Sequence, residues 1–118
     1  MKTNNKIEDF ISHFSEARHT FLYGCCYWFC EILLKRFESE VYQIAIMYEP
    51  EQGHFLTAIR EDFYSTIRLY DIRGDVTDEY SDKTLYSMTN LKAIEAKLYD
   101  NLMKDCRDFV ERDDLLEA

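Results

Sequence analysis

The chain has 118 residues, 47% of them apolar, with three glycines and one proline; that suits one hydrophobic core in a single domain spanning 1–118 and excludes disorder or a second domain. The formal net charge is −9, from ten acids against seven bases in residues 1–70 and thirteen against seven in 71–118. Phosphate neutralisation needs Lys and Arg, so the balance argues against direct nucleic-acid or anionic-membrane binding and favours a basic or nucleic-acid-binding protein partner. No segment approaches the apolar length that spans a bilayer, and the start Met1-Lys2-Thr3-Asn4-Asn5-Lys6 leads into a charged amphipathic pattern, which predicts a cytoplasmic protein.

In chain order, Asn4 or Asn5 can cap a first helix ending near Arg18, with Ile7, Phe10, Ile11 and Phe14 on one face at helical spacing. His13 lies off that stripe and reads as a surface histidine. After a connection ending in Gly24, a second helix runs from about Cys25 to Phe37. It is apolar nearly all round, which marks it as central and covered on several sides. Residues 40–48 are rich in β-branched and aromatic side chains and read as a strand. A Pro50–Gly53 turn leads to a return strand from His54 to Ile59, and Arg60-Glu61-Asp62 to a third from Phe63 to Ile72. Residues 73–77 read as a turn and 78–84 as polar loop. A long last helix, Asn90 to Arg112, capped by Thr89 or Asn90, carries Leu91, Ile94, Leu98, Leu102, Cys106, Phe109 and Val110 on one face; the tail from Asp113 should fray. The expected architecture is α+β: N-terminal helices, the apolar one central, packed on a three-stranded antiparallel sheet, then a long C-terminal helix.

Four cysteines, at 25, 26, 30 and 106, read as thiols, since three of them fall within six residues and no disulfide framework needs that. A zinc site built on Cys26 and Cys30 would need two more ligands, for which His54 and Cys106 are the candidates. Without a paired C-x-x-C knuckle the expectation is no metal and no other cofactor. Cys25 and Cys26 open the apolar helix, where free N–H groups and the positive dipole end favour thiolate and can hold an oxyanion. Against this, a cysteine on an apolar helix is usually a small buried hydrophobe, the reading held for Cys30 and Cys106. His54 could be a strand-edge residue and Asp71 a turn-former before Arg73-Gly74.

Gly24-Cys25-Cys26-Tyr27-Trp28-Phe29, His54-Phe55 and Tyr70-Asp71 resemble, over residues 24–72, the papain-like and transglutaminase-like cysteine proteins. Cys26-Tyr27-Trp28-Phe29 is similar to the cysteine-aromatic helix start of papain-type enzymes, and the other two pairs to the histidine and aspartate strands of the transglutaminase-like core. The resemblance implies Cys26 as nucleophile, His54 as general base and Asp71 as orienter of the imidazole. Papain-type enzymes place an oxyanion glutamine several residues before the cysteine. Here that stretch is Arg18-His19-Thr20-Phe21-Leu22-Tyr23 and holds none, so His19, a tyrosine or backbone alone serves, or catalysis is absent.

Two function classes follow, and a third joins them. One is a cysteine-dependent amide hydrolase or acyl transferase using Cys26, His54 and Asp71. The other is an acidic binding protein that inhibits a host, nucleic-acid-handling protein, by class analogy with phage-encoded anti-defence inhibitors such as anti-CRISPR proteins, with Asp100, Asp105 and Glu111 facing the partner. The third is a cysteine-protease-like scaffold reused for binding. The chain's brevity, its acidity and the missing glutamine tilt the sequence reading toward binding. Oligomeric state is left open.

Overall fold

The computed structural model describes residues 3–14, 26–94, 96–101 and 104. The elements are α1 (Thr3–Ser12), α2 (Cys26–Phe37), β1 (Gln43–Glu49), β2 (His54–Arg60), β3 (Arg68–Asp71), β4 (Gly74–Asp75), α3 (Thr77–Tyr80), β5 (Tyr86–Ser87) and α4 (Met88–Ile94). The class is α+β as expected, but the sheet has five strands, not three, in the order β4-β3-β2-β1-β5 with every pair antiparallel.

Strand alternation divides the core between the two faces of the sheet. On one face, Ile59 and Tyr70 meet Phe29, Leu33 and Phe37 of α2 and Ile7 and Ile11 of α1. Ile46, Tyr48 and Phe55 continue that face around Cys30 and Leu91. On the other, Leu56 and Leu69 pack with Val76 and Tyr80, and Ala58 joins them at the margin. The second helix is therefore central, as its all-round apolarity predicts. Exposed ion pairs from Lys6 and Arg36 to Glu40 tie α1 to the end of α2. No helix among the described residues is long and apolar enough to cross a membrane.

The departures from expectation have local causes. The third strand starts at Arg68, not Phe63, because Asp62 accepts bonds from the Tyr64 N–H (2.8 Å) and the Ser65 hydroxyl (3.0 Å), closing a side-chain turn that leaves Phe63 and Tyr64 exposed. Residues 73–77 are not a simple turn. Gly74 sits at φ +107°, which favours glycine, and lets the chain reverse tightly so that Asp71 pairs with Gly74 and Tyr70 with Asp75. The stretch expected as loop begins with α3, whose entry is ordered by Asp75 accepting from the Thr77 N–H (3.0 Å) and hydroxyl (2.6 Å).

The long C-terminal helix is corrected too. It starts at Met88, where Ser87 Oγ accepts the Asn90 N–H at 3.1 Å, so Ser87 supplies the cap in place of Thr89 or Asn90. The element runs seven residues, Met88–Ile94, with helical conformation again at 96–101 and 104. Leu91 is buried (1% exposed), but Leu98 of the expected stripe is 36% exposed, and Tyr99 packs on the core instead. Leu102, Cys106, Phe109, Val110 and the tail from Asp113 lie outside the described residues, as does the connection through Gly24 and Cys25. The first helix ends at Ser12, short of the expected Arg18, where the His13 and Phe14 N–H groups turn back to the Phe10 and Ile11 carbonyls at 3.2 and 2.9 Å.

Candidate active site

The site is assembled at one end of the sheet. β1 ends at Glu49, whose buried carboxylate accepts the backbone N–H groups of Glu51 (2.7 Å) and Gln52 (2.8 Å) and so holds the Pro50–Gly53 turn. That turn delivers His54 as the first residue of β2. Asp71 is the last residue of β3. Nε2 of His54 donates to Asp71 Oδ2 at 2.9 Å, and both residues are buried, at 6% and 3% exposed. The bond leaves Nδ1 as the ring nitrogen free for a second partner. Cys26, a half-buried free thiol, heads α2 at the same end, and its proximity helps to raise the His54 pKa. Strict alternation would carry His54 with Leu56 to the α3 face, where its ring stacks with Tyr80 at 6.1 Å. Cys26 belongs to the α2 side. His54 thus sits at the sheet margin, reached by α3 from one face and by Cys26 from the other.

Of the sequence-predicted residues, His54 and Asp71 are joined directly, and Cys26 lies near enough to influence the imidazole. Cys30 is buried in the core, as its bland reading expects, and burial pushes its thiol pKa far up. His13 is exposed. Of the acids expected to face a partner, Asp100 is exposed, and Asp105 and Glu111 lie outside the described residues, as do Cys25, His19 and Tyr23. Among the described residues no group of three or more His, Cys, Asp or Glu could hold a metal ion.

Two residues complete the site that the sequence reading left out. Arg73 donates its backbone N–H to Asp71 Oδ1 at 2.7 Å and its Nη2 to Oδ2 at 2.6 Å, and is braced in turn by Glu79 at 2.9 Å. Tyr80 donates its hydroxyl to Gln52 Oε1 at 2.7 Å, pinning the turn that positions His54. The only signal for Arg73 was its place two residues after Asp71 in a tight reversal. Tyr80 gave none, since it falls in a polar stretch.

The electrostatics follow from these contacts. Burial disfavours charge on His54, but the bond to Asp71 and the interaction with Cys26 outweigh it and lift the imidazole from 6.5 to about 9. Burial likewise raises Asp71, and the bonds from His54 and Arg73 overcome it and hold the carboxyl below its ordinary value. The site therefore presents an imidazolium, with a fixed carboxylate behind it, to a thiol.

No family model, no curated protein and no solved structure is similar to the chain, so the residues alone carry the functional argument. Near the thiol, the Tyr48 hydroxyl lies 3.5 Å from where a Cβ on Gly53 would stand. Burial and then the neighbouring Cys26 raise its pKa, so Tyr48 remains a hydrogen-bond donor at neutral pH.

Proposed function

We propose that the chain is a thiol-dependent amide hydrolase or acyl transferase of papain-like or transglutaminase-like design, with Cys26 as nucleophile. The observation that supports this best is the buried His54–Asp71 bond at 2.9 Å with Cys26 acting on the same ring. A thiol nucleophile needs a proton-transfer group beside it, and His54, held by Asp71, is that group here. In the first step the Cys26 sulfur bonds to the carbonyl carbon of an amide. The C–N bond then breaks as His54 gives its proton to the departing amine, leaving a thioester. In the second step water or an acceptor amine attacks that thioester, His54 takes the incoming proton, and the C–S bond breaks to release acid or the new amide. Asp71 keeps Nε2 protonated and Nδ1 aimed at the sulfur throughout, and Arg73 keeps Asp71 ionised. The developing oxyanion has the Tyr48 hydroxyl and the N–H groups opening α2 as donors, in place of the missing glutamine.

The acidic-inhibitor reading draws on net charge and on Asp100 alone among the described residues, and no contact geometry adds to it. Limiting iodoacetamide at neutral pH, followed by peptide mass spectrometry, tests the enzyme reading. Cys26 should be alkylated first, and His54→Ala should slow that alkylation at least about tenfold without unfolding the protein. Alkylation of Cys26 at the rate of a free thiol, unchanged in His54→Ala, would show that no activated pair exists.

A further inference from the structure

The face of the sheet away from α2 carries a feature that the thiol chemistry does not use. Ala45 and Ala58 are directly opposed in the β1–β2 register, with Leu69 across from Ala58 on β3 and Met47 one step along. Two of the smallest side chains side by side, flanked by large ones, leave a trough. It forms a groove of about 580 Å³, with Arg60 and Lys83 among its lining residues. That size, with an apolar floor of Ala45, Met47, Ala58 and Leu69 and polar side chains around it, suits a small-molecule site.

The charges of the groove run against those of the molecule. In a chain with 23 acids and 14 bases, the charged side chains lining it among the described residues are both basic. Lys83 is already paired with Glu51 at 3.1 Å. Arg60 is not: among the described residues no carboxylate pairs with it, its guanidinium leans on the Tyr42 ring at 5.6 Å, and its Nε is buried without a hydrogen-bond partner. A buried guanidinium nitrogen left unsatisfied is costly, and an incoming acceptor would relieve it.

From the trough and this orphaned donor we infer that the groove binds a free medium-chain fatty acid, with the carboxylate on Arg60 and the chain along Ala45, Ala58 and Leu69. A hydrocarbon fits the floor better than a peptide does. The backbone groups of β1, β2 and β3 are engaged with one another in the sheet ladder, so the face offers a peptide backbone few partners and would leave its N–H and C=O groups desolvated. A methylene chain carries no such groups, and its carboxylate meets Arg60, the lining charge left unpaired among the described residues. The site does not depend on the reading of Cys26.

Calorimetric titration of the whole protein with decanoate, below its micellar concentration, tests this against decanol and decylammonium. Decanoate should saturate at one per chain and bind at least about tenfold more tightly than decylammonium. Arg60→Met should weaken decanoate at least about tenfold and leave decanol unchanged, since only the anchor is lost. Ala58→Leu, which fills the trough, should weaken both ligands while melting as wild type does. Three results would overturn the proposal: no saturable decanoate binding to folded wild type, equal affinity for decylammonium, or indifference to Arg60→Met. If Ala58→Leu turns a wild-type dimer into a monomer in sedimentation, a second copy covers this face and the fatty-acid site is wrong.

Discussion

His54 is charged at neutral pH because of its neighbours, against the pull of burial, and this makes its contribution to stability depend on pH in a defined direction. Its folded pKa, about 9, lies above the ordinary 6.5. The favourable charge is therefore fully present below about pH 6.5 and is lost as pH rises through about 9. Asp71 acts with the opposite sign: its depressed pKa adds stability at pH values above the ordinary 3.8, lost as acid protonates it. Denaturant melts of wild type between pH 6.5 and 9 should show declining stability. Asp71→Asn should flatten that decline, because His54 loses the carboxylate that raises it. The same variant should cost about 3 kcal/mol at pH 7, since it breaks a buried ion pair and leaves Arg73 with the Glu79 carboxylate alone among the described residues. A decline of unchanged steepness in Asp71→Asn would mean that another group titrates there.

At the scale of elements, the last helix gives the sharpest test of which side chains bear load. Leu91 is buried against Ile46, Tyr48 and Phe55, whereas Leu98, on the same sequence stripe, is exposed. Leu91→Ala should cost about 2–5 kcal/mol, and Leu98→Ala below about 1 kcal/mol; equal losses in urea melts would place Leu98 in an interface. The contrast also marks the limit of what the sequence could tell. Long elements were legible: the apolar run of α2 announces its type and burial, and the β-branched and aromatic content of β1 and the turn before β2 announce strands. β4 and β5 have two residues each, too few for any period, and exist because Gly74 permits a reversal and Tyr86 meets Tyr48. For the site, Cys26, His54 and Asp71 could be picked out because each sits at the boundary of a legible element. Arg73 and Tyr80 could not, because their roles arise from a hairpin and a one-turn helix set by Asp75 and Thr77.

At the scale of the molecule, two kinds of function can be told apart by one sulfur atom. The half-buried Cys26 touches the edge of a cluster whose mass lies in Ile46, Tyr48, Phe55 and Leu91, so Cys26→Ala removes little packing and should leave the melting behaviour near that of wild type. If the protein works by acyl transfer, the same change should abolish turnover by several orders of magnitude, because the attacking sulfur is gone. If instead it works by occupying a basic partner with its net charge of −9, Cys26→Ala should be silent. Reversal of the exposed Asp100, or added salt, should then weaken the complex. The joined geometry of His54 and Asp71 at 2.9 Å tips the expectation toward chemistry. A buried ion pair beside a thiol is an expensive way to build an acidic surface, and a partner that reads charge alone would gain nothing from it. Amidase and transamidation assays on wild type and Cys26→Ala, run beside a salt-dependent pull-down, decide the matter: full function in Cys26→Ala, lost only with salt or with Asp100→Lys, would replace the enzyme with an inhibitor.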